Sequence, residues 1–245
     1  MDTSLLELKG ITKRFGSLFA LKDVDFEISA GEAVGLVGNN GAGKSTLAKI
    51  ITGNHQPTSG EIFWQGEKIN ISSIKEAREI GIEIVYQDQA VAPDVSVAEN
   101  IFITREPMRS FGPISAIDWN KMKEESKKLT ERLGLNVPCE QEIRFCSGGE
   151  RQGVAIARAM YFDADLVILD EPTTAMSVKA SEKILGFVRN LIEDGISIIY
   201  ITHNLEQVYP VVKRFLLLNR GEKALDCSKS EIKKENLREK LVLAE

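Results

Sequence analysis

Nine consecutive residues, Gly38, Asn39, Asn40, Gly41, Ala42, Gly43, Lys44, Ser45 and Thr46, follow the spacing G-x-x-x-x-G-K-[ST]. Glycines at these places let a backbone wrap a phosphate with its N–H groups turned inward. A helix starting there aims its positive end at the same anion. Lys44 would neutralise terminal phosphates, and the Ser45 hydroxyl would hold Mg2+. A Gly-rich turn alone accounts for the glycines but gives no reason for Lys-Ser-Thr at a helix start.

Other residue types in the chain fit the same chemistry. The apolar run Leu166-Val167-Ile168-Leu169 ends in two carboxylates, Asp170 and Glu171. Hydrolysis of a Mg-nucleotide needs one carboxylate to orient the metal and another to position or deprotonate the attacking water. His203 follows a second apolar run, 196–201, and could contact the terminal phosphate and hold that water. Gln87 follows a third, 82–86, where its amide could bind Mg2+ or water, or serve only as a polar loop residue. Ser147, Gly148, Gly149 and Glu150 fit a capping box opening a helix. Two successive glycines weaken a helix, which makes sense if a ligand must approach the backbone there.

The elements that must position these residues are legible in outline. Strands are expected at 5–8, 24–28, 33–37, 61–64, 82–86, 166–169 and 196–201, with helices at 44–51 and 74–79 and a turn at 57–60. Continuous β-branched runs bounded by turn residues suit a parallel sheet covered on both faces. Residues 96–160 carry helix signals: Ser96 and Glu99 form another S-x-x-E pair, and 119–133 is charged with apolar residues at helical spacing. The fold class is therefore α/β, a nucleotide-binding core at 1–87 and 161–245 with a helical insertion at 88–160. The charged stretch 229–245 reads as a surface helix, and no internal repeat or low-complexity segment is visible.

Composition narrows the setting. At 245 residues the chain is one large domain or one domain with a subdomain, and its formal charge of -5 argues against broad electrostatic binding to nucleic acid. Three cysteines without a C-x-x-C pair suit a reducing compartment. The N-terminus lacks the basic start and apolar run of a signal peptide, and no apolar stretch nears the ~18 residues of a membrane span.

Taken in this order along nearly the whole chain, these motifs resemble the ATP-binding subunits of ABC transporters. The resemblance implies a P-loop NTPase core of the ABC ATPase type, with an antiparallel β subdomain and a helical subdomain at 88–160. Residues 38–46 would be its Walker A motif, Gln87 its Q-loop, 146–152 its signature, Asp170 and Glu171 its Walker B acids, and His203 its switch histidine. Lys44, Glu171 and His203 would then be catalytic, and Ser45, Gln87 and Asp170 would hold the metal. Phe15 sits where that family stacks an aromatic ring on adenine. ATP would be sandwiched in a head-to-tail homodimer, between Walker A of one copy and residues 147–149 of the other, with Glu150 beside them.

The stretches 95–102, 117–119, 171–175 and 199–203 are similar to those of monosaccharide importers of the ribose, xylose and fructose type. That implies ATP and Mg2+ as cofactors and transmembrane permease subunits as partners. It further implies indirect service to a sugar-binding protein, no nucleic acid, and a peripheral place on the cytoplasmic face of the membrane. Importers of amino acids or other small solutes are the alternative. A soluble ATPase acting on ribosomes or chromosomes would need a second cassette, a coiled coil or a basic extension. A regulatory module without turnover is the third class. The permease would dock on 91–102, through some of Val91, Val95, Val97, Ile101 and Phe102, with the others filling the subdomain core. The chain departs from the family pattern at Cys146 and Glu150 of the signature, at Ser177 where an aspartate is usual, and in carrying one cassette rather than two.

Overall fold

The computed structural model describes residues 4–242 except 87–90, 113, 162–163 and 175. Two compact units divide the chain: Met1–Ile84, Ala164–Pro172 and Leu191–Glu245 in the first, Val85–Asp163 and Thr173–Asn190 in the second. Thr173–Asn190 thus groups with the helical unit, not with the sheet that precedes and follows it.

The first unit begins with two long antiparallel strands, β1 (Ser4–Phe15) and β2 (Leu18–Ser29). Leu21, Val24, Phe26 and Ile28 of β2 are buried, with exposed residues between Val24, Phe26 and Ile28. That alternation is the pattern of an antiparallel sheet with one solvated face. β3 (Ala33–Val37) is buried at every position and leads through residues 38–43 into α1 (Lys44–Ile51). β4 (Ser59–Trp64) and β5 (Glu67–Ile69) complete a four-stranded sheet in the order β2-β1-β4-β5. Ser59 and Gly60, expected in a turn, lie inside β4, and Ser59 pairs with Thr12 of β1. α2 (Ile74–Glu79), capped by the Ser73 side chain, and β6 (Ile82–Val85) follow.

The second unit holds α3 (Val97–Phe102), the hairpin β7 (Met108–Phe111) and β8 (Ile114–Ile117), α4 (Trp119–Arg132), and α5 (Gly148–Tyr161). Ser96 and Glu99 form the expected capping box on α3. Asp118 caps α4, whose buried residues Met122, Ser126, Leu129 and Thr130 share one face at helical spacing. The hairpin was not expected from the helix signals of 96–160. Its described side chains are exposed on both faces, so no alternation marks it in the sequence. Val97, Ile101 and Phe102 are all 0% exposed and fill this unit's core, leaving Val91 and Val95 half-buried.

β9 (Leu166–Asp170), α6 (Val178–Glu193), β10 (Ser197–Thr202), α7 (Leu205–Val208), β11 (Arg214–Asn219), β12 (Glu222–Ser228) and α8 (Lys234–Val242) complete the chain. The larger sheet has the order β12-β11-β3-β10-β9-β6. β11, β3, β10 and β9 are mutually parallel, and β12 is an antiparallel edge. Every residue of β3, β9 and β10 is buried, as a parallel sheet with both faces covered requires. No helix among the described residues is long and apolar enough to cross a membrane.

Candidate functional site

Strand register brings the chemistry together. Val37 at the end of β3 pairs with Thr202 at the end of β10, and Asp170 at the end of β9 pairs with Ile201. The loop 38–43, the acids and His203 therefore leave the same carboxyl edge of three adjacent parallel strands, where open α/β sheets place their ligands.

Glycines and a buried cation shape the loop after β3. Gly43 has φ +104, and a Cβ there would stand 2.7 Å from the carbonyl oxygen of Ala20 and 2.8 Å from Leu21. Only glycine fits both the left-handed backbone and that approach. Gly43 is also the N-cap of α1; it offers no side-chain cap, and the first turn carries no acid. The positive end of α1 is thus left for an external anion. Ala42 is buried, Asn39 and Thr46 are half-buried, and Asn40 and Gly41 are exposed.

Lys44 is 7% exposed, and its Nζ donates to the carbonyls of Gly38 at 2.7 Å and Asn39 at 3.0 Å. Burial pushes its pKa down, while Glu171 and Asp170 pull it back up. Asp170 is 9% exposed; burial raises its pKa, the Ser45 hydroxyl hydrogen-bonds it in opposition, Glu171 raises it further and Lys44 lowers it. Ser45, Asp170 and Lys44 therefore form one cluster: a hydroxyl and a carboxylate side by side next to a cation. Oxygen donors of this kind suit Mg2+ completed by water and phosphate. No cluster of three or more His, Cys, Asp or Glu able to hold a metal by themselves exists among the described residues.

Glu171 adopts φ +50, rare for a residue with a Cβ. Such backbone costs of order 1–3 kcal/mol and persists where the surroundings over-determine it. Its N–H donates to the Ile201 carbonyl at 3.0 Å. Its Oε1 accepts from the His203 backbone N–H at 3.1 Å and lies 2.7 Å from His203 Nδ1, while Oε2 accepts from the Thr202 hydroxyl at 3.3 Å. An ionised carboxylate only accepts, so this contact places a proton on Nδ1 and leaves Nε2 as the ring's second functional atom. Sequence reading missed Thr202, which is 0% exposed and also accepts from the Asn204 N–H at 3.0 Å. Its only signal is a β-branched hydroxyl just before the histidine.

The loop also meets the chain's last described helix. Asn39 Nδ2 donates to the Leu241 carbonyl of α8 at 3.0 Å. A pocket of about 280 Å³ opens between Asn39, His203, Glu206, Arg238 and Leu241.

Phe15 ends β1 and is 46% exposed, edge-on to His55 with ring centroids 5.4 Å apart. Gln87 lies outside the described residues. Residues 147–150 open α5 in the helical unit. The Ser147 N–H donates to Glu150 Oε2 at 2.7 Å, and the Glu150 N–H donates to Ser147 Oγ at 3.3 Å, completing the capping box. A Cβ on Gly148 would meet nothing, and one on Gly149 would meet only Ala180 at 3.4 Å. Packing within this unit therefore does not demand either glycine. They border a pocket of about 340 Å³ that also includes Ser177, Lys179 and Lys183.

A phosphate loop after one parallel strand, with paired acids ending the next strand but one, defines the core of an ATP-binding cassette. A dimeric ATP-binding cassette in a post-hydrolysis state, bound to ADP and Pi, matches this structure with a TM-score of 0.77 at 28% identity, over 91% of this chain and 98% of that one. The ADP conformation of a cassette from an ABC transporter shares the fold with a TM-score of 0.84 at 24% identity, over 98% of each chain.

The chain belongs to the ABC transporter family, whose pattern matches residues 21–174. It is 42% identical over 238 residues to the xylose/arabinose import ATP-binding protein XylG of Sulfolobus acidocaldarius, covering 97% of this chain and 93% of that protein. It is also 37% identical over 217 residues to the ribose import ATP-binding protein RbsA of Caldanaerobacter subterraneus, covering 89% of this chain but 43% of that protein.

Proposed function

We propose that this chain is the ATP-hydrolysing subunit of a monosaccharide importer. The observation that carries the reading is near full-length similarity to a xylose/arabinose import subunit, joined to a catalytic edge with cation, acids and histidine in place.

Lys44 and the N-terminus of α1 bind the terminal phosphates, with the backbone of residues 38–46 around them. Ser45 and Asp170, with Gln87, would hold Mg2+, which would supply neutralisation of the charge on the phosphates. Glu171 positions the attacking water and takes its proton. His203, with the backbone and hydroxyl donors beside it, holds the Glu171 carboxylate in one orientation, and as an imidazolium its Nε2–H would donate to the terminal phosphate. Phe15 stacks on the adenine.

Residues 147–150 serve the nucleotide of a second copy, each copy giving its phosphate loop to one site and its α5 start to the other. The helical unit carries the permease contact on the outer part of 91–102, at Val91 and Val95. The pair works peripherally at the cytoplasmic face, and a sugar-binding protein acts on it only through the permease.

The test is ATP hydrolysis by the chain reconstituted with its permease in vesicles, with solute-binding proteins charged with pentose or with amino acid. Stimulation by the pentose form is expected. Stimulation by the amino-acid form alone would overturn the sugar assignment.

A further inference from the structure

One buried amide holds an entire surface loop of the helical unit. Asn100 on α3 is 0% exposed. Its Oδ1 accepts from the Ala92 N–H at 2.7 Å. Its Nδ2 lies 2.9 Å from the Ala92 carbonyl, 3.0 Å from that of Ser96 and 3.3 Å from that of Val95. Its own backbone carbonyl accepts from Arg158 Nε at 2.9 Å. Arg158 belongs to α5, the helix whose first turn carries residues 148–150.

The same loop is sewn to the segment just before α5. Val97 N–H donates to Gln141 O at 2.9 Å, Ile143 N–H to Val95 O at 3.1 Å, and Arg144 N–H to Pro93 O at 3.0 Å. Arg144 also pairs with Asp94 at 2.7 Å. Pro93 and Asp94 remain exposed at the outer edge. The loop is therefore tied directly to residues 141–144, just before α5, and through Asn100 to Arg158 within α5.

A core position needs no amide. Buried polar groups are costly unless every one is paired, so a fully engaged buried Asn defines a backbone shape more than it adds stability. We propose that Asn100 is a positioning residue that keeps residues 92–96 in register with α5, so that displacement of the loop by the permease is passed to residues 147–150. This rests on the reading that the loop meets the permease.

The test uses the permease complex in vesicles and three variants. Asn100→Asp keeps the acceptor for Ala92 but removes the amide donor that the three carbonyls share. Arg158→Met removes the link to α5 and keeps a side chain of similar length. Val95→Asp places a charge on the loop's half-buried surface and tests docking alone. ATP binding and basal hydrolysis of the isolated Asn100→Asp and Arg158→Met chains should stay within about twofold of the parent, while sugar-stimulated turnover falls roughly fivefold or more, the scale of a typical coupling between sites. If Asn100→Asp does not fold, Arg158→Met decides the matter. Equal losses of basal and stimulated rates in that variant would mean packing only and overturn the proposal. Intact stimulation in Val95→Asp overturns the docking reading and the proposal with it. Lost stimulation in Val95→Asp beside full stimulation in the other two overturns the proposal alone.

Discussion

Nδ1 of His203 stands 2.7 Å from Oε1 of Glu171, across two adjacent parallel strands and on a glutamate whose φ is +50. The left-handed turn at Glu171 directs its N–H to Ile201 and its carboxylate to the Thr202–His203 segment. The proposed base is thus oriented by β10 before any nucleotide arrives. Orientation of this kind is how a fold lowers the cost of reaching reactive geometry.

Replacing Lys44 by alanine should weaken ATP binding by roughly tenfold or more, since hydrogen bonds to charged groups contribute ~1.5–3 kcal/mol. Its Nζ now rests on two carbonyls of its own loop, so it is already inside the cradle a phosphate would fill. A nucleotide titration giving unchanged affinity would remove Lys44 from phosphate binding.

Asp170 makes a pH-dependent prediction. Burial holds its pKa above the ordinary 3.8, so the folded chain binds this proton more tightly than the unfolded chain. The stability it contributes is full below 3.8 and is lost as pH rises through the raised value. At neutral pH the ionised carboxylate opposes folding, and Asp170→Asn should raise the unfolding midpoint of the nucleotide-free chain. A change of about 1 kcal/mol would move it by ~2–4 °C at this chain size. The gap between variant and parent should narrow as the buffer is acidified. A lower midpoint for Asp170→Asn at neutral pH would mean that attraction to Lys44 outweighs burial.

Glu150→Gln should preserve the capping box, because glutamine also fills that role. It removes a negative charge from the helix start proposed to face a triphosphate. Hydrolysis by the paired chain should rise or hold steady, with the unfolding midpoint unchanged. A clear fall in kcat/KM would show that the Glu150 carboxylate contributes to turnover.

Much of this site was legible because its residues announce themselves locally. The loop 38–46 carries its own spacing, Asp170 and Glu171 end an unbroken apolar strand, and Ser147 with Glu150 spells out a helix start. Features set by distant contacts were not legible. Asn39 meets Leu241 across the length of the chain, and nothing near either residue signals it. The positive φ of Glu171 has no glycine to mark it. Apolar spacing alone could not tell which of Val91, Val95, Val97, Ile101 and Phe102 fill the core; α3 turns the last three inward. The exposed hairpin β7–β8 lacks alternation, so it was absorbed into the helix signals around it. Thr173–Asn190 follows the acids directly, yet its packing places it with the helical unit.

The decisive experiment is phosphate release from Mg-ATP by Glu171→Gln, run beside ATP titration and molecular mass in solution. The amide is nearly isosteric with the carboxylate but cannot take a proton, and losing a general base costs ~10^2–10^4 in rate. ATP affinity should be retained, hydrolysis should fall by that factor, and an ATP-held dimer should accumulate. Hydrolysis at the parental rate would contradict the assignment of Glu171 as the base.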